Sequence, residues 1–169
     1  MLSLILRPLR HLVDALSTND SPNQVALGFT IGMVLGMVPK GNLIALALLV
    51  LLCAVRVNRS AGLLAAGLFS LLSPLLDGIT HKIGEAVLYQ PGLQGFYAWL
   101  YDLPLGPFLG FHNTVTAGAL LLALYITYPC YYGSRLAFTR YRAPLAAAVE
   151  RHRWGRRIKR AQWAARVGE

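Results

Sequence analysis

Asp77, His81 and Glu85 recur at steps of four, with Lys82 beside them. Residues four apart share a helix face, so two carboxylates and an imidazole could approach one metal ion from the same side. Zinc-type sites need three or four ligands converging in good geometry, and one helix face does not supply that, so no metal and no cofactor is expected. Lys40 stands in Pro39-Lys40-Gly41-Asn42, and His112-Asn113 precedes a long apolar run. A lysine inside an apolar region is either a ligand-binding cation or one half of a neutralising pair. No Gly-rich phosphate loop follows a strand, and no serine sits in a nucleophile-elbow context. Cys53 and Cys130 lie in apolar runs without partners at ligand spacing and read as small buried residues. No catalytic residue is legible, and the expectation is a non-enzyme.

The elements that position these groups follow from composition. Of the 169 residues 56% are apolar and 14% charged, against about 25% charged in soluble domains. Mean hydropathy is +0.50. The net charge of +9 comes from 16 Lys and Arg against seven acids. High apolarity excludes a disordered chain and argues against a soluble enzyme. Combined with basicity, it points to a membrane and its anionic surface rather than to nucleic acid.

Residues 1–20 place Leu2, Ile5, Leu6, Leu9, Leu12, Val13 and Leu16 at helical steps, predicting an amphipathic interfacial helix. A helix packed on the rest of the protein fits the same pattern. Ser21-Pro22 starts the next helix, over 22–38. Gly28, Gly32 and Gly36 share one of its faces, where another helix could approach closely. Pro39-Lys40-Gly41 breaks it, and Asn42 caps a second arm over 42–55. Arms of 17 and 14 residues reach roughly 25 and 21 Å, so this hairpin re-enters or barely crosses. A kinked helix over 60–89, interrupted at Pro74, and an aromatic outer interfacial segment over 93–112 follow. The clearest transmembrane helix is 114–138, and a basic cytoplasmic tail occupies 139–169. The fold class predicted is an all-α integral membrane protein: short helical hairpin, kinked helix, one long transmembrane helix and amphipathic terminal helices.

With both termini cytoplasmic, fourteen of the sixteen basic residues lie inside, and Lys40 and Lys82 are the exceptions. That satisfies the positive-inside rule. The same arithmetic brings Lys40, Asn42, Asp77, His81, His112 and Asn113 to one depth near the outer boundary. An unpaired charge there is costly, so Lys40 and Asp77 are predicted to pair. In the tail, Arg151, Arg153, Arg156, Arg157, Lys159 and Arg160 are predicted to bind anionic headgroups at the inner leaflet.

The stretch Ser21-Pro22, Ala26-Leu27-Gly28-Phe29, Ile31-Gly32 and Gly36-Met37-Val38-Pro39-Lys40-Gly41-Asn42 resembles a bacterial inner-membrane family catalogued as domain of unknown function 2062. Arg56-Val57-Asn58, Phe69-Ser70-Leu71-Leu72-Ser73-Pro74-Leu75-Leu76-Asp77 and His112-Asn113-Thr114-Val115 continue the resemblance. It covers roughly residues 20–140 and points to the subgroup carrying PKGN and SLLSPLLD. The family has no established activity, so the resemblance implies no catalytic residue. It implies a bacterial inner-membrane location and a larger envelope protein as companion.

Three functions compete. The first is a non-enzymatic inner-membrane subunit that anchors or seals the membrane end of a larger envelope complex, with lipid transport as its setting. It is supported by short kinked helices, a glycine face and an aromatic outer segment. The second is a small oligomeric transporter or channel with a polar site around Lys40 and Asp77. Its weakness is size: few helices, no inverted repeat and few polar pathway residues. The third, a ribosome- or nucleic-acid-binding membrane protein acting through its tail, has only the charge in its favour. The partners expected are membrane lipids and either a larger envelope protein or further copies of this chain, without nucleic acid.

Overall fold

The computed structural model describes residues 20–151, with side chains through residue 141. The helix predicted over 1–20 and the tail beyond Arg151 lie outside the described residues. Every regular element among them is helical.

Helix α1, Pro22–Met37, opens with a reciprocal cap: the Gln24 amide donates to Ser21 Oγ, and the Ser21 amide donates to Gln24 Oε1. Pro22 occupies the first turn, where its missing N–H costs nothing. The chain leaves the helix at Val38-Pro39 and turns through Gly41 at φ +96°, a conformation glycine adopts without strain. Helix α2, Leu43–Ala54, is capped by Asn42 Oδ1, which accepts from the Ala45 amide at 2.8 Å. Helix α3, Arg59–Leu88, is capped by Asn58, whose Oδ1 accepts from Ala61 at 2.7 Å. It runs through Pro74 as one helix. A 3₁₀ turn, Pro91–Leu93, leads into α4, Gln94–Asp102, and a second 3₁₀ turn, Gly106–Leu109, leads down to α5, Thr114–Arg151.

Helix α5 differs from the sequence reading. It continues thirteen residues past the expected end at 138, because residues 139–151 contain good helix formers and their one proline, Pro144, does not stop it. The first part of the tail is therefore a helical extension of the last long helix.

Helix α1 is the centre. Ten of its sixteen residues are buried, whereas α2 buries only Ala45 and Leu52. Its glycines explain how neighbours come so close. A Cβ at Gly28 would strike Asn58, one at Gly32 would strike Gly62, and one at Gly36 would meet Ala66 and Phe69. The partner numbers climb with those of α1, so α1 and α3 run parallel and α2 is the return arm between them. Helix α5 runs the other way. Its start touches α3 where Gly84 meets Thr114 and Gly118 meets Thr80. Near its other end Phe138 packs on Phe29, ring centroids 6.3 Å apart. Met33, Val34, Met37 and Ala123 fill the space between α1 and α5, with Phe69 and Leu76 of α3 against them.

The start of the hairpin is tied to the start of α3. Asn58 is buried, its amide donates to Gln24 O at 3.1 Å, and its Nδ2 donates to Asp20 Oδ2 at 2.8 Å. Both feet of the hairpin therefore stand at one level. Its tip reaches the level of Asp77, nineteen residues up α3 from Asn58, about 28 Å at 1.5 Å per residue.

Candidate functional site

The hairpin tip gathers most of the polar residues singled out above. Helix α1 ends with carbonyls that have no intrahelical donor. Lys40 folds back onto them: Nζ donates to Leu35 O at 2.6 Å, Val38 O at 2.8 Å and Gly36 O at 3.1 Å. A cation at a helix C-terminus is also favoured by the helix dipole. Asn42 closes the turn, its Nδ2 donating to Pro39 O at 3.0 Å. Two hydroxyls from α3 join the same carbonyl cluster: Ser73 Oγ donates to Met37 O at 3.0 Å and Ser70 Oγ to Gly36 O at 3.3 Å. Gly110, at φ +80°, lies against the Asn42 side chain, where a larger residue would be pushed away.

Lys40 and Asp77 face one cleft of about 410 Å³, together with Ser70, Ser73, Pro74 and Asn113. They do not pair. The described residues contain one carboxylate–cation contact, His81 Nε2 to Glu85 Oε2 at 3.9 Å, with both side chains about half exposed. The predicted Lys40–Asp77 ion pair is thus corrected. Sequence separation supplies depth but not reach, and the flexible lysine stem finds three main-chain carbonyls at the end of α1 first. At half exposure the His81–Glu85 contact adds little.

The remaining polar residues divide. Asn113 caps the start of α5, its Oδ1 accepting from Val115 at 2.8 Å, and lines the same cleft. His81 stands one turn beyond Asp77, its Nδ1 2.6 Å from Thr114 Oγ1. His112 lines a separate cavity of about 260 Å³ with Tyr97, Tyr101 and Phe111. There the Tyr101 hydroxyl is buried without a hydrogen-bond partner among the described residues, and burial pushes its phenol above the ordinary value. No cluster of three metal-ligating side chains occurs among the described residues. Lys40, Asn42, Asp77 and Asn113 are therefore brought together around the tip, with His81 above and His112 apart. Of the predicted lipid-binding residues only Arg151 falls within the described backbone, and the other five lie outside it.

Sequence reasoning missed two features. Beside the tip, between α2 and α3, lies an apolar trough of about 870 Å³. Leu35, Leu46, Leu49 and Leu63 line it, Leu105 and Phe108 of the descending loop close its upper end, and Lys40, Asn42 and Ser70 form its polar rim. The second is the Thr80/Gly84 crossing with Thr114/Gly118. Each is a small-xxx-small pair, and that spacing was the available signal.

These features define an all-helical bundle organised around a short hairpin. Two of its helical stretches, Arg59–Leu88 and Thr114–Tyr141, are long and apolar enough to cross a membrane. The chain belongs to the family described as uncharacterized protein conserved in bacteria, DUF2062, whose profile matches residues 6–144. It is 30% identical over 141 residues to an uncharacterized protein of Treponema pallidum (strain Nichols), covering 83% of this chain and 87% of that one. No solved structure matches it.

Proposed function

We propose that this protein is a multi-pass subunit of the bacterial inner membrane, with both termini cytoplasmic. In this reading it is not an enzyme, and it anchors or seals the membrane end of a larger envelope assembly concerned with lipid. The observation that carries the membrane placement is the exposure of its apolar helices. In the most apolar stretches of α3 and α5 only 11% and 28% of the residues are buried. The core helix of a soluble protein would be mostly buried. Leu71 and Leu75 are each 79% exposed, and leaving such side chains in water forgoes about 1.5–3 kcal/mol apiece. Lipid removes that cost. The hairpin arms of 16 and 12 residues rise about 24 and 18 Å, short of a hydrocarbon core of about 30 Å, whereas the 30 residues of α3 are long enough to cross it.

The subunit role draws on the end of the bundle opposite the start of α1. Above the tip, α4 and the loop after it expose Phe96, Trp99 and Phe108. Phe96 and Trp99 stack at 5.9 Å, and Gln94 Nε2 ties the helix to Leu88 O at 2.7 Å. A fixed aromatic surface at a membrane boundary suits a partner as well as headgroups.

Two experiments test this. A cysteine placed in 93–105 should react with an impermeant reagent in intact cells, and one in the tail should not; the reverse pattern overturns the topology. The chain purified from its own membranes in mild detergent should retain an envelope protein in fixed ratio, and Phe96→Ser with Trp99→Ser should release it. Purification with no such partner removes the subunit reading. A small oligomeric transporter is the second reading, favoured by Lys40 and Asp77 standing unpaired in one cleft. Solute flux in reconstituted vesicles that Asp77→Asn abolishes would put it in front.

A further inference from the structure

The trough and the cleft share a wall: Lys40 and Ser70 line both. They differ in chemistry. The trough is leucine and phenylalanine along its length and polar only where it meets the tip. At about 870 Å³ it falls in the size range of small-molecule sites, roughly 300–1,000 Å³. The cleft is bounded by a cation, an acid, two hydroxyls and the capped start of α5. A molecule filling both would be apolar at one end and charged at the other.

The charges identify the polar end. Lys40 is held by carbonyls, which position its ammonium without cancelling its charge by a carboxylate. Asp77 is exposed on the cleft wall and makes no ion pair among the described residues. One cation and one anion that line the same cleft without pairing call for a ligand carrying both signs. We propose that the trough holds an acyl chain of a zwitterionic phospholipid, with its phosphate at Lys40 and its primary ammonium at Asp77.

The local hydrogen bonds permit this. The longest Lys40 bond goes to Gly36 O, and that carbonyl also accepts from Ser70. Lys40 can turn one N–H to a phosphate without leaving Gly36 O unpaired. The start of α5, capped by Asn113, also borders the cleft. An anionic phosphatidylglycerol would satisfy Lys40 but leave Asp77 beside a phosphate without a partner. A second copy of this chain would have to supply both charges from one surface. The membrane-facing trough opens beside helices that expose leucine, where lipid is the most abundant amphiphile.

The inference rests on the membrane reading of the preceding subsection and not on the envelope partner. Its test uses the full chain, stripped of lipid in detergent and offered equal amounts of phosphatidylethanolamine and phosphatidylglycerol with identical acyl chains. Native mass spectrometry counts the retained lipid. Phosphatidylethanolamine should be retained roughly three- to fivefold over phosphatidylglycerol, the scale of one partly solvated ion pair. Asp77→Asn should remove that preference while lipid is still bound. Leu49→Trp and Leu46→Trp, which fill the trough away from the tip, should each reduce retention of both lipids. Equal retention by the wild type, a preference that survives Asp77→Asn, or trough variants that bind as well as the wild type would each overturn the proposal. So would a lipid-free dimer. Loss of the envelope partner in a pull-down leaves the lipid count unchanged, so the two proposals fail separately.

Discussion

Replacing Gly32 by alanine tests the seam on which the bundle depends. The added Cβ would meet only main-chain atoms of Gly62: its carbonyl oxygen first, then its carbonyl carbon at 2.7 Å and Cα at 2.8 Å. Carbon atoms rest at about 3.5–4.0 Å, so α1 and α3 must part by about 1 Å. No rotamer change can relieve a clash between two backbones. A gap of that size forfeits a quarter to a half of the dispersion energy along the contact, and overpacking of this kind costs about 1–3 kcal/mol. Gly133 is the control, because a Cβ there meets nothing within 4 Å. Alanine at that position should be neutral or should gain up to about 1 kcal/mol from helix propensity. Both positions are helical and share that propensity gain, so the same chemical change at the two sites should differ by the overpacking cost, roughly 1–3 kcal/mol. The assay is denaturant unfolding in mild detergent, read by a thiol-reactive dye. A Cys53→Ser background leaves Cys130, half-buried on α5 against the Met33 cluster, as the reporter. Equal midpoints for Gly32→Ala and Gly133→Ala would refute the argument from close backbone approach.

Further outcomes follow from the hydrogen bonds. Lys40→Met should destabilise by about 1–3 kcal/mol through the main-chain acceptors it abandons, and a double-mutant cycle with Asp77→Asn should couple by less than about 0.5 kcal/mol; strong coupling would restore the ion pair. Asn58→Ala should cost about 1–2 kcal/mol, since it removes the cap of α3 and the tie to Asp20 together; a midpoint within error of the wild type would mean the feet of the hairpin are held otherwise. A 139–169 peptide should bind vesicles in proportion to their phosphatidylglycerol content, lose binding as salt rises, and gain helicity on binding. Equal binding to neutral vesicles, or none to anionic ones, would count against the anionic membrane surface and leave a protein partner in front.

The hairpin was legible because its signals are local. Ser21-Pro22, Pro39 through Gly41, and Asn42 each act within a few residues of where they stand, and the helices begin and end there. The three glycines of α1 were legible as a face because their spacing repeats. Their partner was not, since Gly62 lies among apolar residues whose direction relative to α1 is set by the return arm. The crossing at Gly84 and Gly118 escaped notice for a different reason: each helix carries a single small pair there, and α3 at that height reads as polar. The trough could not be read at all, because it arises from α2 packing mainly on α1 and leaving a gap beside α3. The error over Lys40 and Asp77 has the same root, for sequence separation supplies depth but not side-chain direction.

The parallel seam also fixes an order of events during synthesis. The groove presented by α1 is filled by a helix that begins about twenty residues after α1 ends. A ribosome that has released only the hairpin has produced two apolar arms whose glycine face is still open. Most of the surface of α2 is apolar and uncovered, with Leu46 and Val50 both more than half exposed, and in the membrane reading proposed above lipid rather than protein shelters it at that stage. In that reading the hairpin enters the bilayer as one piece. Its only ionised side chain is Lys40, which can take its three carbonyls with it because all belong to the same turn. Docking of α3 then becomes the committed step, and a chain stopped before Gly62 should remain open to quality-control proteolysis.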